Sequence, residues 1–544
     1  MHDKIIKPLF LDLMSIQSDT NTPMEVAIEK FIYRWIGSQP YFFQRDDLYG
    51  LLPLEDDPHG RNVVWSLLKG KGKETVVMIH HHDAVDIEEY GKLKHHALIP
   101  DQLEKALKER KLSQEVRRDL ESGEWIFGRG SADMKSGAAI QLALLSKWSE
   151  NPEFQGNILL LSVPDEERLS QGMLQAVPLM TQLREKHDLE FVLTVNCEPY
   201  FNQKKGHALY YEGSVGKVMP ILYVKGVKSH IGDPFNGFNP SLVLADLQRK
   251  TELNVDLCDV HHREATPPPV WVNLKDRKKA YDASIPEAAT GYFNWLTFTR
   301  STHTIMSKLV SLSKRTLRDT LNHFEDAYEN YCNLTGQEPD FNGFEPQVIT
   351  FKDLYQQGCH SGDTFIAEYT QYQAEVNALL RKNKINLPEA ATRLIEFIVD
   401  WLALEGPAIV VALSGPYYPH INNDSIDRKM AFDLHRAINE FSQGKYNVFY
   451  EKQGFFMGIS DLSYASWSGQ EEDIAVVKEN SPGWDIIYHI PFDELSGISM
   501  PVVNIGPWGK DLHKTTERVF AKDVYERIPD IVEHLVQKTL TTKN

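Results

Sequence analysis

Four apolar runs in this sequence each lead into side chains that can ligate or move protons. Val76–Ile79 is followed by His80, His81, His82 and Asp83, and Asn157–Val163 by Asp165, Glu166 and Glu167. Phe191–Val195 is followed by Glu198, and Val502–Ile505 by the loop GPWGKDLH, which carries His513. A glycine-rich stretch, GRGSADMKSG from Gly128 to Gly137, adds Asp133 just before a helical segment. Alternation along a strand puts His81 and Asp83 on one side, and His80 and His82 on the other. A carboxylate near a histidine can accept the ring's other N–H and so fix its tautomer and direction. Each signal alone has an ordinary alternative. Asp133 could cap a helix, the Asp165–Glu167 run could be a solvated turn, and His513 could be a polar loop residue. The glycine-rich stretch fits neither the Walker nor the Rossmann phosphate pattern. Three adjacent carboxylates repel one another unless a cation compensates them. Taken together, two histidines and three carboxylates could hold two divalent ions through one shared carboxylate. Mixed imidazole and carboxylate donors suit zinc, with manganese or cobalt as alternatives. One carboxylate would remain free as a general base.

The elements that must position these groups read as α/β. Buried runs alternate with helical segments over the first two hundred residues, as in a mainly parallel sheet with helices on both faces. In such sheets, functional side chains gather past the C-terminal strand ends. Gly137–Trp148 is helical by its spacing of Ile140, Ala143, Leu144 and Trp148. The pattern changes near Gly213. A strand at Val218–Val224, a helix at Ser241–Leu253, strands at Val270–Leu274 and Tyr292–Thr299, and a long helix at Thr302–Tyr331 follow. That β-α-β-β-α order predicts an α+β insertion of ferredoxin-like type. Helices at Thr364–Arg381 and Glu389–Leu404 enlarge it, and Ala408–Leu413 reads as a further strand. The α/β character returns with a helix at Arg428–Phe441, strands at Tyr446–Tyr450 and Val502–Ile505, and a C-terminal helix. The expected division is therefore 1–213, 214–417 and 418–544, a catalytic domain split by an inserted lid.

Composition narrows the function classes. The chain has 544 residues, 58 Lys+Arg against 76 Asp+Glu, and a net charge of −18. That sign argues against binding nucleic acid or an anionic membrane surface. No apolar run approaches the roughly 18 residues of a membrane span. Cys197, Cys258, Cys332 and Cys359 are scattered and form no metal or disulfide pattern. The first residues read as an amphipathic helix with Ile6, Leu9, Phe10 and Leu13 on one face, not as a signal peptide. A cytoplasmic protein is the expectation.

The order and spacing of these motifs resemble the dizinc aminoacylase and carboxypeptidase family, which includes acetylornithine deacetylase, succinyl-diaminopimelate desuccinylase and glutamate carboxypeptidase. HxDxV matches His81-His82-Asp83-Ala84-Val85, and GRGxxDMKxG matches Gly128–Gly137. DEE matches Asp165-Glu166-Glu167, EP matches Glu198-Pro199, and the late GPxG…H loop matches Gly506 to His513. The resemblance implies a zinc-peptidase-like catalytic domain with an inserted lid. It implies that Asp133 bridges two metals, with His81 and Glu198 completing one site and Glu167 and His513 the other. Asp83 would orient His81, and Glu166 would be the general base. His230 of GVKSHIGDP would bind the substrate carbonyl, and Asp133–Met134 is a candidate cis peptide. The implied reaction is hydrolysis of an amide-type bond in a small amino-acid-derived substrate.

The whole chain resembles a longer, arginine-utilisation branch of this family, which points toward arginine, ornithine or citrulline metabolism. Many relatives carry an Asn in an N-x-I-P lid segment, whereas here the segment is Ala283-Ser284-Ile285-Pro286. Substrate preference therefore does not transfer from the deacetylases. Relatives often dimerise through the lid, so a homodimer is possible, and the extra helices could either replace a partner surface or simply pack. Asp461 could line the site floor or a turn. Arg300 could meet a substrate carboxylate or solvent, and Trp508 could line the pocket or pack. His80 and His82 could bind metal adventitiously. A non-catalytic binding protein would have lost a ligand or the base, and none is missing.

Overall fold

The computed structural model describes residues 3–201, 207–340 and 343–542. The chain divides into two compact units. One comprises Met1–Ser214, Ile421–Ser468 and Pro491–Asn544, and the other Val215–His420 and Gly469–Ile490.

The first unit is built on an eight-stranded sheet. At its centre, four strands run parallel in the order Gln155–Val163, Lys71–His81, Glu190–Asn196 and Val502–Asn504. The ladder pairs His81 with Val163, Ile79 with Asn196, and Val503 with Val195. The strands are buried on both faces, so they read as continuous apolar runs without polar alternation. Antiparallel strands flank this centre, with Asn62–Lys69 and Tyr49–Pro53 on one side and Ala208–Tyr211 on the other. The helix Ser136–Ser149 is buried almost all round, as expected for a central element. Gln141 ties it to the sheet. Its amide donates to the carbonyls of Ile79 (2.9 Å) and Val195 (3.3 Å). A Cβ on Gly137 would lie 2.5 Å from the Cys197 carbonyl, so only glycine lets the helix start this close to the strand end. The N-terminal helix Asp3–Ser15 buries Ile6, Leu9, Phe10, Leu13 and Met14.

The second unit holds a five-stranded sheet in the order Val270–Asp276, Ala288–Thr297, Gly216–Lys225, Ala408–Tyr418 and Gln347–Thr350. The first four are antiparallel to their neighbours and follow ferredoxin-like order, with the short fifth strand added parallel at the edge. The helices Pro240–Thr251 and Thr302–Thr335 are those of the ferredoxin-like repeat. The extra helices Phe351–His360, Asp363–Arg381 and Leu387–Trp401 form a core with Ile221, Tyr223, Ala288, Val410 and Ala412. They therefore cover a sheet face within their own unit. At the far edge, Val270, Val272 and Leu274 stay exposed on the strand Val270–Asp276.

Several elements depart from the sequence reading. The helix expected at Arg428–Phe441 runs from Leu434 to Tyr446. Asp433 caps it by accepting the Arg436 N–H at 3.0 Å, and Asn447 in left-handed conformation ends it. The next strand is consequently Tyr450–Gln453, where Tyr446–Tyr450 was expected. The helix Phe351–His360 and the helix Glu471–Asn480, which belongs to the second unit, carry no strong signal in the sequence. The four cysteines are unpaired. Among the described residues, no helix is long and apolar enough to cross a membrane.

Candidate metal centre

The parallel centre of the first unit delivers its strand ends to one place. His81 is the last residue of its strand, and the turn Asp165–Glu167 follows the neighbouring strand after Pro164. Glu198 follows the strand on the other side, and His513 comes in a loop beyond Val502–Asn504. Asp133 lies just before the buried helix Ser136–Ser149, and its peptide to Met134 is cis.

The donor atoms fall into two groups that share Asp133: His81, Asp133 and Glu198, and Asp133, Glu167 and His513. His81 Nε2 lies 3.0 Å from Asp133 Oδ1 and 3.5 Å from Glu198 Oε1. His513 Nε2 lies 3.2 Å from Asp133 Oδ2 and 3.2 Å from Glu167 Oε2. Asp133 thus turns one oxygen to each histidine. His81 Nδ1 lies 3.0 Å from the Asp83 carbonyl and 3.4 Å from its carboxylate. When the ring is neutral its N–H is on Nδ1, which leaves Nε2 as the lone-pair donor facing the carboxylates. The Asp83 carboxylate also holds the acidic turn. It accepts the N–H of Glu166 (3.2 Å) and of Glu167 (3.3 Å), and the hydroxyl of Thr20 (2.8 Å).

The site's electrostatics call for positive charge. Burial pushes Glu166 and Glu198 well above the usual carboxylate range, and repulsion from neighbouring acids adds to it. Glu167 is raised by burial and by Asp133, and its Oε1 is buried without a hydrogen-bond partner. Asp461, also buried, is pushed up to about 7 by desolvation and in turn raises Glu166 and Glu198. His513 is raised to about 11 by its hydrogen bonds to Asp133 and Glu167. Burial opposes the His81 imidazolium, but Glu198, Asp133 and Asp83 outweigh it and raise its pKa well above normal. Imidazole and carboxylate donors, crowded, buried and partly unpaired, fit two divalent cations sharing one carboxylate.

Residues that the sequence did not single out hold these groups. Arg61, 1% exposed, pairs with Asp165 (2.8 Å), Glu25 (2.9 Å) and Asp57 (2.7 Å) behind the acidic turn. Glu25 also accepts the Asp165 N–H at 3.1 Å. Arg129 and Glu517 form a second buried pair at 2.7 Å. These two flank recognisable motifs, Arg129 within GRG and Glu517 four residues past His513, and that is the only signal they give.

The remaining candidates have partners of their own or belong to the second unit. His80 Nδ1 bonds Gln141 (2.9 Å) and His82 Nδ1 bonds Ser162 (2.9 Å), so both are core residues. Arg300 donates to the carbonyls of Leu257 (2.6 Å) and Cys258 (2.8 Å), tying a loop to a strand end. Trp508 stacks against Tyr200 and meets Trp125 edge-on, which is packing. His230 belongs to the second unit and is exposed. Its Nδ1 accepts the Gly232 N–H at 3.1 Å, so the neutral ring carries its proton on Nε2.

The chain belongs to peptidase family M20/M25/M40, whose profile matches residues 106–477, and with it to the metal-dependent hydrolases of amide bonds. It is 33% identical over 546 residues to the protein YqjN of Bacillus subtilis (strain 168), covering 98% of this chain and 96% of that one. It is 28% identical over 554 residues to the protein RocB of the same organism, covering 99% and 96%. In three dimensions it matches the aminopeptidase PepT of Bacillus cereus ATCC 10987 with a TM-score of 0.52 at 12% identity, over 99% and 98% of the two chains. That likeness is one of fold.

Without a cation, His513 holds a proton at neutral pH, and burial and crowding raise the proton affinity of His81, Glu167 and Glu198, so a cation competes with protons for these groups. Ion binding at pH 7 should therefore release protons, and affinity should rise with pH. Calorimetry in two buffers of different ionisation enthalpy measures this directly. Binding without net proton release would be incompatible with these residues as the ligands.

Proposed function

We propose that this chain hydrolyses the amide-type C–N bond of an N-acyl or N-carbamoyl amino acid or a short peptide. The observation that carries the reading is the pair of donor groups sharing Asp133, with Glu166 buried beside them. His81, Asp133 and Glu198 would hold one divalent ion, and Asp133, Glu167 and His513 the other, with zinc the best match to the donors. Bound there, such ions polarise a carbonyl and lower the pKa of a water from 15.7 to about 7.

The remaining work falls to the protein's own groups. Glu166 takes a proton from the attacking water at its carboxylate, then gives it to the amide nitrogen, so the product leaves as an amine. A carboxyl whose pKa is raised by burial can carry that proton in both directions near neutral pH. Asp83 holds the Glu166 backbone and the His81 ring in one geometry. The role proposed for His230 rests on the resemblance. Its Nε2–H is a donor of the type that stabilises a carbonyl oxygen as charge develops there. The arginine-utilisation resemblance, together with the relation to RocB, favours a substrate derived from arginine, ornithine or citrulline.

We further infer that a second copy of the chain docks on the edge strand Val270–Asp276. Its residues Val270, Val272 and Leu274 are apolar and exposed, and among the described residues it is the edge strand of its sheet.

The test of the reaction is amine release from N-acyl-ornithines, citrulline, N-acyl-arginines and dipeptides with zinc, manganese or cobalt. Glu166→Ala should keep both ions and lose turnover by more than about 10²-fold; full activity in that variant would remove Glu166 from the mechanism. His230→Ala should also keep both ions and lose roughly 10²- to 10³-fold in kcat, and an unchanged kcat would exclude it. Light scattering should give a dimer for the native chain and a monomer for Val272→Lys. A native monomer would exclude docking on that edge.

A further inference from the structure

We infer that the Arg129–Glu517 ion pair is a positioning device that acts mainly on one ion position, that of Asp133, Glu167 and His513, where it holds two of the three groups. The inference rests on the metal-site reading above. The two ion positions are held by different kinds of structure. His81 is locked in the parallel ladder opposite Val163, and Glu198 stands two residues past the ladder pair Asn504–Asn196. Hydrogen bonds between strands fix both. His513 has no such support. It lies in a loop, its φ is +62°, and its side chain is 49% exposed.

Asp511 and Arg518 pair within that loop, and Arg129 ties it to the segment that carries Asp133. Arg129 Nη2 donates to the His513 carbonyl at 3.1 Å, and its Nε donates to the Asp86 carbonyl at 3.2 Å. Its Nη1 meets Glu517 Oε2 at 2.7 Å. Glu517 then reaches the shared ligand. Its Oε1 accepts the N–H of Ala132 at 3.1 Å and of Asp133 at 3.4 Å. The Gly128 N–H donates to the Glu517 carbonyl at 3.1 Å, which closes the arrangement. Asp133 and His513, 380 residues apart, are thus set against each other by one ion pair whose members are 2% and 1% exposed. A guanidinium can serve this role because its planar fork donates in several directions at once; an ammonium can replace its charge but not its geometry.

The consequence is asymmetric. Losing the fork should free His513 and weaken one of the two ions most, while the His81 and Glu198 position, which shares only Asp133 with the pair, is weakened less. Substitution of groups that orient ligands typically costs roughly 10- to 100-fold in metal affinity. Equilibrium dialysis against buffered Zn²⁺, with ion content read by mass spectrometry, gives two affinities for the native chain. Arg129→Lys should weaken one of them by about that factor and the other clearly less, with an unaltered circular dichroism spectrum. Glu517→Gln should do the same more mildly, because it keeps an acceptor for the Ala132 and Asp133 N–H groups. It supplies the reading if the arginine variant fails to fold. His513→Ala is the reference for loss of the His513 position, and adding Arg129→Lys to it should cost that position nothing further. Two native-like affinities in both folded variants would overturn the inference, as would equal weakening of both ions. A native chain that binds no second ion would instead overturn the metal-site reading.

Discussion

Six carboxyl groups crowd around two imidazoles, and the first unit is organised around their mutual repulsion. Asp83, Asp133, Glu166, Glu167, Glu198 and Asp461 all act electrostatically on one another or on His81, and most are almost fully buried. An isolated buried carboxylate would take up a proton and become neutral. Several such groups held this close raise one another further, as the elevated pKa values of Glu166 and Glu198 record. Backbone geometry keeps them together against that repulsion. Parallel strands expose their C-terminal ends along one edge of the sheet, so chain segments far apart in sequence arrive side by side.

Rigidity behind the site comes from buried charge pairs. Arg61 anchors the turn that carries Glu166 and Glu167 through Asp165, and Arg129 with Glu517 anchors the segments that carry Asp133 and His513. Pairs like these add little net stability over an apolar core of the same volume, because desolvation offsets much of their attraction. Their use is geometric. Each guanidinium reaches several acceptors in fixed directions, and a ligand set tolerates little displacement. Gln141 does the same without charge, joining the strand that ends in His81 and the strand that precedes Glu198 to the helix that follows Asp133.

The second unit shows how an insertion can complete a sheet. A ferredoxin-like sheet carrying its two helices on one side leaves its other side to be covered. Here the helices Phe351–His360, Asp363–Arg381 and Leu387–Trp401 supply Leu354, Phe365, Leu394 and Ile398 to a core with Ile221, Tyr223 and Val410. Burial of this kind, at about 25 cal/mol per Å² of apolar surface, is the dominant reason for them to pack there. The apolar stripe of Leu387–Trp401 was legible as a helix. Its docking face was not, because periodicity states that a face is buried and not against what.

The amino-acid sequence by itself determined the donor chemistry and its order. Apolar runs ending in His81, Glu166–Glu167 and Glu198, and the stretch around Asp133, are local patterns that survive without any knowledge of neighbours. So are the α/β class and the ferredoxin-like insertion, because strand and helix periods are properties of short segments. Tertiary structure decided what depends on contacts across the chain. It gave His80 and His82 their partners, Gln141 and Ser162, and set His81 against Asp133, contacts that alternation along the strand does not name. It brought the two groups that share Asp133 within reach of one another, turned Arg300 into a loop tie, and brought Glu25 and Arg61 behind the acidic turn. The physical reason is that a side chain's partner is fixed by which strands lie adjacent and which way each pleat faces. Those are decided only when the whole sheet closes.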